Sequence, residues 1–172
     1  MASTQFTTAV FIDSLFVKQT ILETCESYPE LKEEDISLES ILSRIIDYTG
    51  FKNYQVFYFE IPANHLRPDI NKDLTGETRK ISGKQVKFQM IEANLIAPEL
   101  IDFFIQNQTR FEHNILVGDD VIYSGLPGGS CNYSNLIVFR RRESTTRMNW
   151  DLPGRYAFFE DMILEICKDH FK

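Results

Sequence analysis

One apolar stripe stands out along the chain. Leu38, Ile41, Leu42, Ile45 and Ile46 recur at the i, i+3, i+4, i+7, i+8 spacing of a helix face. Asp35 or Ser37 is placed to cap the free amides at its start, and Gly50 to take the left-handed conformation that ends it. Upstream, Ala9-Val10-Phe11-Ile12 reads either as a short buried strand ending at Asp13 or as the first turn of a helix. From Leu15 onward, Phe16, Val17, Ile21, Leu22 and Cys25 lie closer to helical than to strand spacing. Tyr28-Pro29 ends that run, because proline pushes the residue before it out of the helical region. Residues 1–30 are therefore expected to form an N-terminal helical extension.

Downstream the pattern shifts towards strands. Tyr54 to Ile61 is aromatic and β-branched on nearly both faces, as in a central strand covered by layers on each side. Pro62 ends it, and the polar stretch from Ala63 to Gly83 reads as a long loop. Val86, Phe88 and Met90 alternate with Lys87 and Gln89, a half-buried strand. Pro98 then opens a short helix, Glu99–Gln106, with Leu100, Phe103 and Phe104 turned inward. Ile115-Leu116-Val117 and Val121-Ile122-Tyr123, joined by Gly118-Asp119-Asp120, predict a hairpin. Leu136 to Phe139 is one more strand. A closing helix is predicted from Asp151-Leu152-Pro153, with Tyr156, Phe159, Ile163, Ile166 and Cys167 as its buried stripe. This succession predicts one α/β domain over residues 1–172, a mixed β-sheet flanked by helices.

Composition narrows the function classes. With 14 Phe and 7 Tyr in 172 residues the chain can build a core without a metal or a disulfide staple. A net charge of −7 argues against a surface committed to non-specific binding of nucleic acid or anionic membrane. Cys25, Cys131 and Cys167 are far apart and form no CxxC pair, which disfavours a zinc knuckle and suits a reducing compartment. The start of the chain lacks a basic segment followed by a long apolar one, and no apolar run approaches a membrane span. The expectation is a cytoplasmic protein with no membrane contact, no cofactor and no bound metal.

Three constellations carry candidate chemistry. The first is His113 with Asp120. A catalytic histidine needs an orienting acceptor and an exposed face, and Asp120 meets the first need if the hairpin brings it back to the ring. A strand-edge histidine without chemistry is the alternative. His113-x-Ile115, Asp120, and the trailing Gly128, Gly129, Ser130 and Asn132 together resemble a degenerate HxKxxxxD motif of the phospholipase D-like superfamily. The resemblance implies a core over residues 38–172 in which His113 attacks phosphorus and Asp120 orients a histidine. Two motif copies would meet in a homodimer. Ile115 stands where that family carries its phosphate-clamping lysine, and the Gly-Ser-x-Asn spacing is two residues longer. The resemblance thus points to a non-catalytic relative, and the enzyme question leans towards no.

The second constellation is Arg140-Arg141-Arg142. Guanidinium forks suit phosphate or carboxylate, and the loop at Gly128, Gly129, Ser130 and Asn132 is able to add backbone amides for the same anion. The alternative is a solvated strand end paired with Glu143 and Asp151. The third is acidic: Asp13, Glu60, Asp119 and Asp120 all fall at predicted strand ends or turns. Ala9-Val10-Phe11-Ile12-Asp13 resembles the opening strand of NYN- and PIN-type nucleases, which hold Mg²⁺ on such acids for phosphodiester hydrolysis. The sequence reading that follows is a regulatory module that binds a phosphate-bearing or acidic ligand, or a protein partner, through the glycine loop and the arginine strand end. Its alternative is a phosphodiesterase or nuclease of the phospholipase D-like or the NYN/PIN metal-dependent type.

Overall fold

In the computed structural model, which describes residues 5–62, 78–119, 135–142 and 155–168, the strands pair into one seven-stranded sheet. In chain order the elements are β1 (Thr8–Asp13), α1 (Ser14–Ser27), α2 (Leu38–Thr49), β2 (Asn53–Glu60), β3 (Thr78–Ile81), β4 (Lys84–Glu92), α3 (Ile96–Asn107), β5 (His113–Val117), β6 (Leu136–Arg140), β7 (Arg155–Phe158) and α4 (Phe159–Ile166). The sheet order is β3-β4-β2-β1-β5-β6-β7. All neighbours run parallel except β3, which pairs antiparallel with β4. The expected single α/β domain with a mixed sheet is what the chain forms.

The two faces of the sheet are covered by different helices. Val10, Ile12, Val56, Tyr58, Ile115 and Val117 point to one side, under α1, α2 and α4, where they meet Phe16, Ile41, Ile45 and Ile163. Ala9, Phe11, Phe57, Phe59 and Leu116 point to the other, against Leu100 and Phe104 of α3. Alternation of side chains along a strand explains the division, and burial on both faces explains why β1 and β2 are apolar nearly throughout. α2 starts and stops as its sequence predicts. Ser37 and Ser40 form a reciprocal capping box, and Gly50 takes the left-handed conformation at φ 67°.

Four expectations are corrected. Residues 8–13 are no part of an N-terminal helical extension; β1 is the central strand, paired with β2 on one side and β5 on the other. A core confined to residues 38–172 would lack it. The predicted hairpin on β5 has no edge to use, since β1 and β6 occupy both sides of residues 114–117; residues 121–123 lie outside the described part. Tyr156, expected on the closing helix, sits in β7, where pairing with β6 overrides the helical spacing, and its side chain is exposed. Part of the expected 63–83 loop is β3, joined to β4 by the turn Ser82-Gly83, both at positive φ.

Numbering only the parallel strands in chain order gives 3-2-1-4-5-6, the order of doubly wound nucleotide-binding sheets. The chain leaves β1 for β2 in one direction and reaches β5 in the other, so the order reverses between β1 and β5. In such sheets a crevice opens beyond the carboxyl ends of the strands at that reversal, and ligands bind there. Among the described residues no helix is long and apolar enough to cross a membrane.

Candidate functional site

The β1–α1 turn forms one wall of that crevice. Asp13 ends β1 in extended conformation and caps α1, its Oδ1 accepting from the amides of Leu15 at 3.0 Å and Phe16 at 3.2 Å. Free amides at this place are what a dinucleotide-binding sheet offers to pyrophosphate, and glycines let the phosphate approach closely. Here the turn is Asp13-Ser14-Leu15-Phe16, with no glycine, and a carboxylate already occupies the amides. The turn therefore presents negative charge where that fold usually welcomes it from a ligand.

The second wall comes from β5 and β6. Gly118 donates its amide to the carbonyl of Phe139 at 3.2 Å, and Asp119 Oδ2 accepts from the amide of Arg141 at 3.2 Å. These bonds carry the chain of β5 past its last strand residue while holding it beside β6. Asp13, Asp119 and Arg141 consequently line one crevice of about 460 Å³, with Gln19 and Asn94 as further polar groups and Leu15 and Leu95 exposed at its rim. Neither amide was singled out from the sequence; each is recognisable only once α1 and the loop before α3 face each other.

The arginine run lies at the same carboxyl edge, but its forks are engaged. Arg141 Nη1 meets Glu23 at 3.3 Å, its Nε donates to Thr20 Oγ1 at 3.3 Å, and its guanidinium lies over the Phe16 ring. Arg142 pairs with Asp161, donates its amide to Glu160, and covers the ring of Phe158. The Asp161 hydrogen bond and charge push its guanidinium further up from its ordinary range. Arg140 rests over Tyr156. The acids that pair with the run are thus on α1 and α4, while Glu143 and Asp151 lie outside the described residues.

His113 is placed elsewhere. It opens β5, half-buried, and stacks on Phe51 with ring centroids 3.8 Å apart and planes 8° from parallel. Arg140 closes β6, which runs parallel to β5 with Val117 beside Phe139. Four strand steps of ~3.3 Å put His113 about 13 Å from the carboxyl edge. The imidazole and the arginine run therefore belong to opposite edges of the sheet. Asp120, Gly128, Gly129, Ser130 and Asn132 lie outside the described residues. Glu60 ends β2, yet its side chain is wholly buried beneath α1 rather than in the crevice.

Among the described residues no group of three or more His, Cys, Asp or Glu side chains is arranged to hold a metal ion. Two carboxylates in one crevice nevertheless suit Mg²⁺, which keeps several of its waters and takes only one or two carboxylates along with substrate phosphates. Compared with protein-family models, curated proteins and solved structures, the chain matches none.

Proposed function

We propose that the protein acts on phosphodiester bonds at the crevice between β1 and β5, in the manner of the NYN/PIN type that its opening strand resembles. Asp13 and Asp119 would hold a divalent cation, and Arg141 would face the phosphate. The single observation that carries this reading is the meeting of Asp13 and Asp119, from the ends of adjacent strands, in one crevice at the reversal of strand order. A bound Mg²⁺ would supply Lewis acidity and a water activated near neutral pH. The protein's part is positional. The α1 amides fix the Asp13 carboxylate, the Arg141 amide fixes that of Asp119, and Glu23 and Thr20 hold the Arg141 guanidinium against α1. His113 has no part in it, being at the other edge.

A second reading is a non-catalytic module that binds an anionic ligand or partner segment. It is favoured by the placement of Arg140, Arg141 and Arg142 at this same carboxyl edge.

One experiment separates the two. Short single-stranded RNA and DNA are incubated with the protein in Mg²⁺ or Mn²⁺, and again with chelator. The proposal expects metal-dependent cleavage that falls more than about 100-fold in Asp13→Asn and Asp119→Asn, beyond the usual cost of losing an outer-shell partner of a metal ligand. It also expects His113→Ala to cleave as the wild type does. Asparagine keeps the helix cap, so Asp13→Asn tests charge rather than folding. Cleavage that survives both asparagine variants refutes the proposal. Binding without turnover, lost in Arg141→Ala, establishes the second reading instead.

A further inference from the structure

Behind the crevice lies a buried charge that the proposed chemistry does not use. Glu60 closes β2 with no exposed surface. Its Oε1 accepts from Ser14 Oγ at 3.1 Å, Lys18 Nζ at 3.1 Å and its neighbour's amide, Ile61 N, at 3.0 Å. Its Oε2 meets Lys18 Nζ again at 3.1 Å and accepts from the Tyr58 hydroxyl at 3.4 Å. Ser14 is fully buried, and the Lys18 side chain is 18% exposed. A carboxylate taken out of water is costly unless its charge and lone pairs are met, and here both are.

The donors show what the network holds in place. Ser14 is the first residue of α1 and follows Asp13 directly; Lys18 stands one helical turn later on the same face. Glu60 therefore grips the opening turn of α1 at two points. That turn carries the Leu15 and Phe16 amides that orient the Asp13 carboxylate. Burial of the α1 face is already secured by Phe16, Val17 and Ile21 in the core. A polar grip at the very start of the helix adds direction more than adhesion.

We infer that Glu60, acting through Ser14 and Lys18, is a positioning residue that sets where the Asp13 carboxylate points in the crevice. The inference rests on the reading of that crevice as a cation and phosphodiester site. A positioning residue behind a ligand weakens cation binding when lost, even in molecules that remain folded.

The test is Mn²⁺ binding, titrated by calorimetry at a temperature where circular dichroism shows each variant folded. Glu60→Gln keeps the shape and the carbonyl acceptor but leaves Lys18 without its counter-charge. Lys18→Met removes the cation, Lys18→Arg preserves a two-pronged contact, and Ser14→Ala removes only the hydroxyl. The expected result is a Kd raised about 10–100-fold in Glu60→Gln and Lys18→Met, a smaller rise in Ser14→Ala, and recovery in Lys18→Arg. If wild type binds Mn²⁺, Asp13→Asn does not, and the Glu60 and Lys18 variants bind as well as wild type, the network is scaffold alone and the inference falls while the crevice reading stands. If wild type does not bind Mn²⁺, or Asp13→Asn binds equally well, both fall together.

Discussion

Replacing Lys18 with Met retains most of the apolar stem and removes the ammonium group that meets both oxygens of Glu60. The size of the effect depends on which class of ion pair this is. Exposed pairs are worth about 0–1 kcal/mol, whereas breaking a buried one costs about 3–5 kcal/mol because the remaining charge is stranded. With the Glu60 side chain wholly buried and that of Lys18 only 18% exposed, the larger scale applies. Ser14, Tyr58 and the Ile61 amide still donate to the carboxylate, which favours the lower end of that range. For a chain of this size each kcal/mol lowers Tm by about 2–4 °C, so a fall of about 6–12 °C is expected for a loss near 3 kcal/mol. Equilibrium urea unfolding should show a lower midpoint with an unchanged slope. The double variant Lys18→Met with Glu60→Gln no longer strands a charge and should regain about 1 kcal/mol or more relative to Lys18→Met alone. A Lys18→Met protein within about 1 kcal/mol of wild type, or a double variant no better than the single, would refute the reasoning.

Three further outcomes follow from described contacts. Asp13→Ala should lose about 0.5–2 kcal/mol in urea unfolding through the lost cap of α1, while Asp13→Asn should stay close to wild type. Gly50→Ala should cost about 1–2 kcal/mol from left-handed strain alone, since a Cβ there meets nothing within 4 Å; a loss beyond about 3 kcal/mol would point to a clash instead. Burial pushes the thiols of Cys25 and Cys167 up from 9.0 and the phenols of Tyr54 and Tyr58 up from 10.0, with the Glu60 charge adding to the rise at Tyr58. The folded chain thus keeps protons that the unfolded chain gives up. Its stability should be whole below these ordinary values and decline as pH rises past 9, read as a falling urea midpoint; a midpoint that rises there would contradict it.

The sequence was most informative where local chemistry decides the structure. α2 carries its own stripe, cap and stop signal, and Leu38 to Gly50 fold accordingly. The aromatic run of β2 announced a strand covered on both faces, and it has one. Failures occurred where a distant partner decides. Val10 and Ile12 alternate too briefly to separate strand from helix, and only pairing with Val56 and Ile115 makes that stretch the central strand. Tyr156 has helical spacing from Phe159 and Ile163, yet the edge of β6 takes it as a strand residue. Among the candidate site residues, the sequence named Asp13 and Asp119 as acids at an element end and a turn but had no means of placing them together. It grouped Glu60 with them, although that carboxylate is buried beneath α1, held by Ser14 and Lys18. The arginines were noticed for their charge, and their acidic partners on α1 and α4 are too far away in sequence to be read beside them.

The short antiparallel strand β3 has a bearing on how the protein behaves in company. Without it β4 would be the rim of the sheet, a long strand whose open peptide groups could template pairing with a neighbouring molecule. β3 satisfies residues 84–87 of that strand and presents Thr78, Arg79 and Lys80 outward as a brief, positively charged border. Charge and brevity are two of the devices by which natural sheets resist edge-to-edge growth. A change of Arg79 and Lys80 to valine would leave the fold unaltered while turning that border into an adhesive one, and light scattering at high concentration would register the difference.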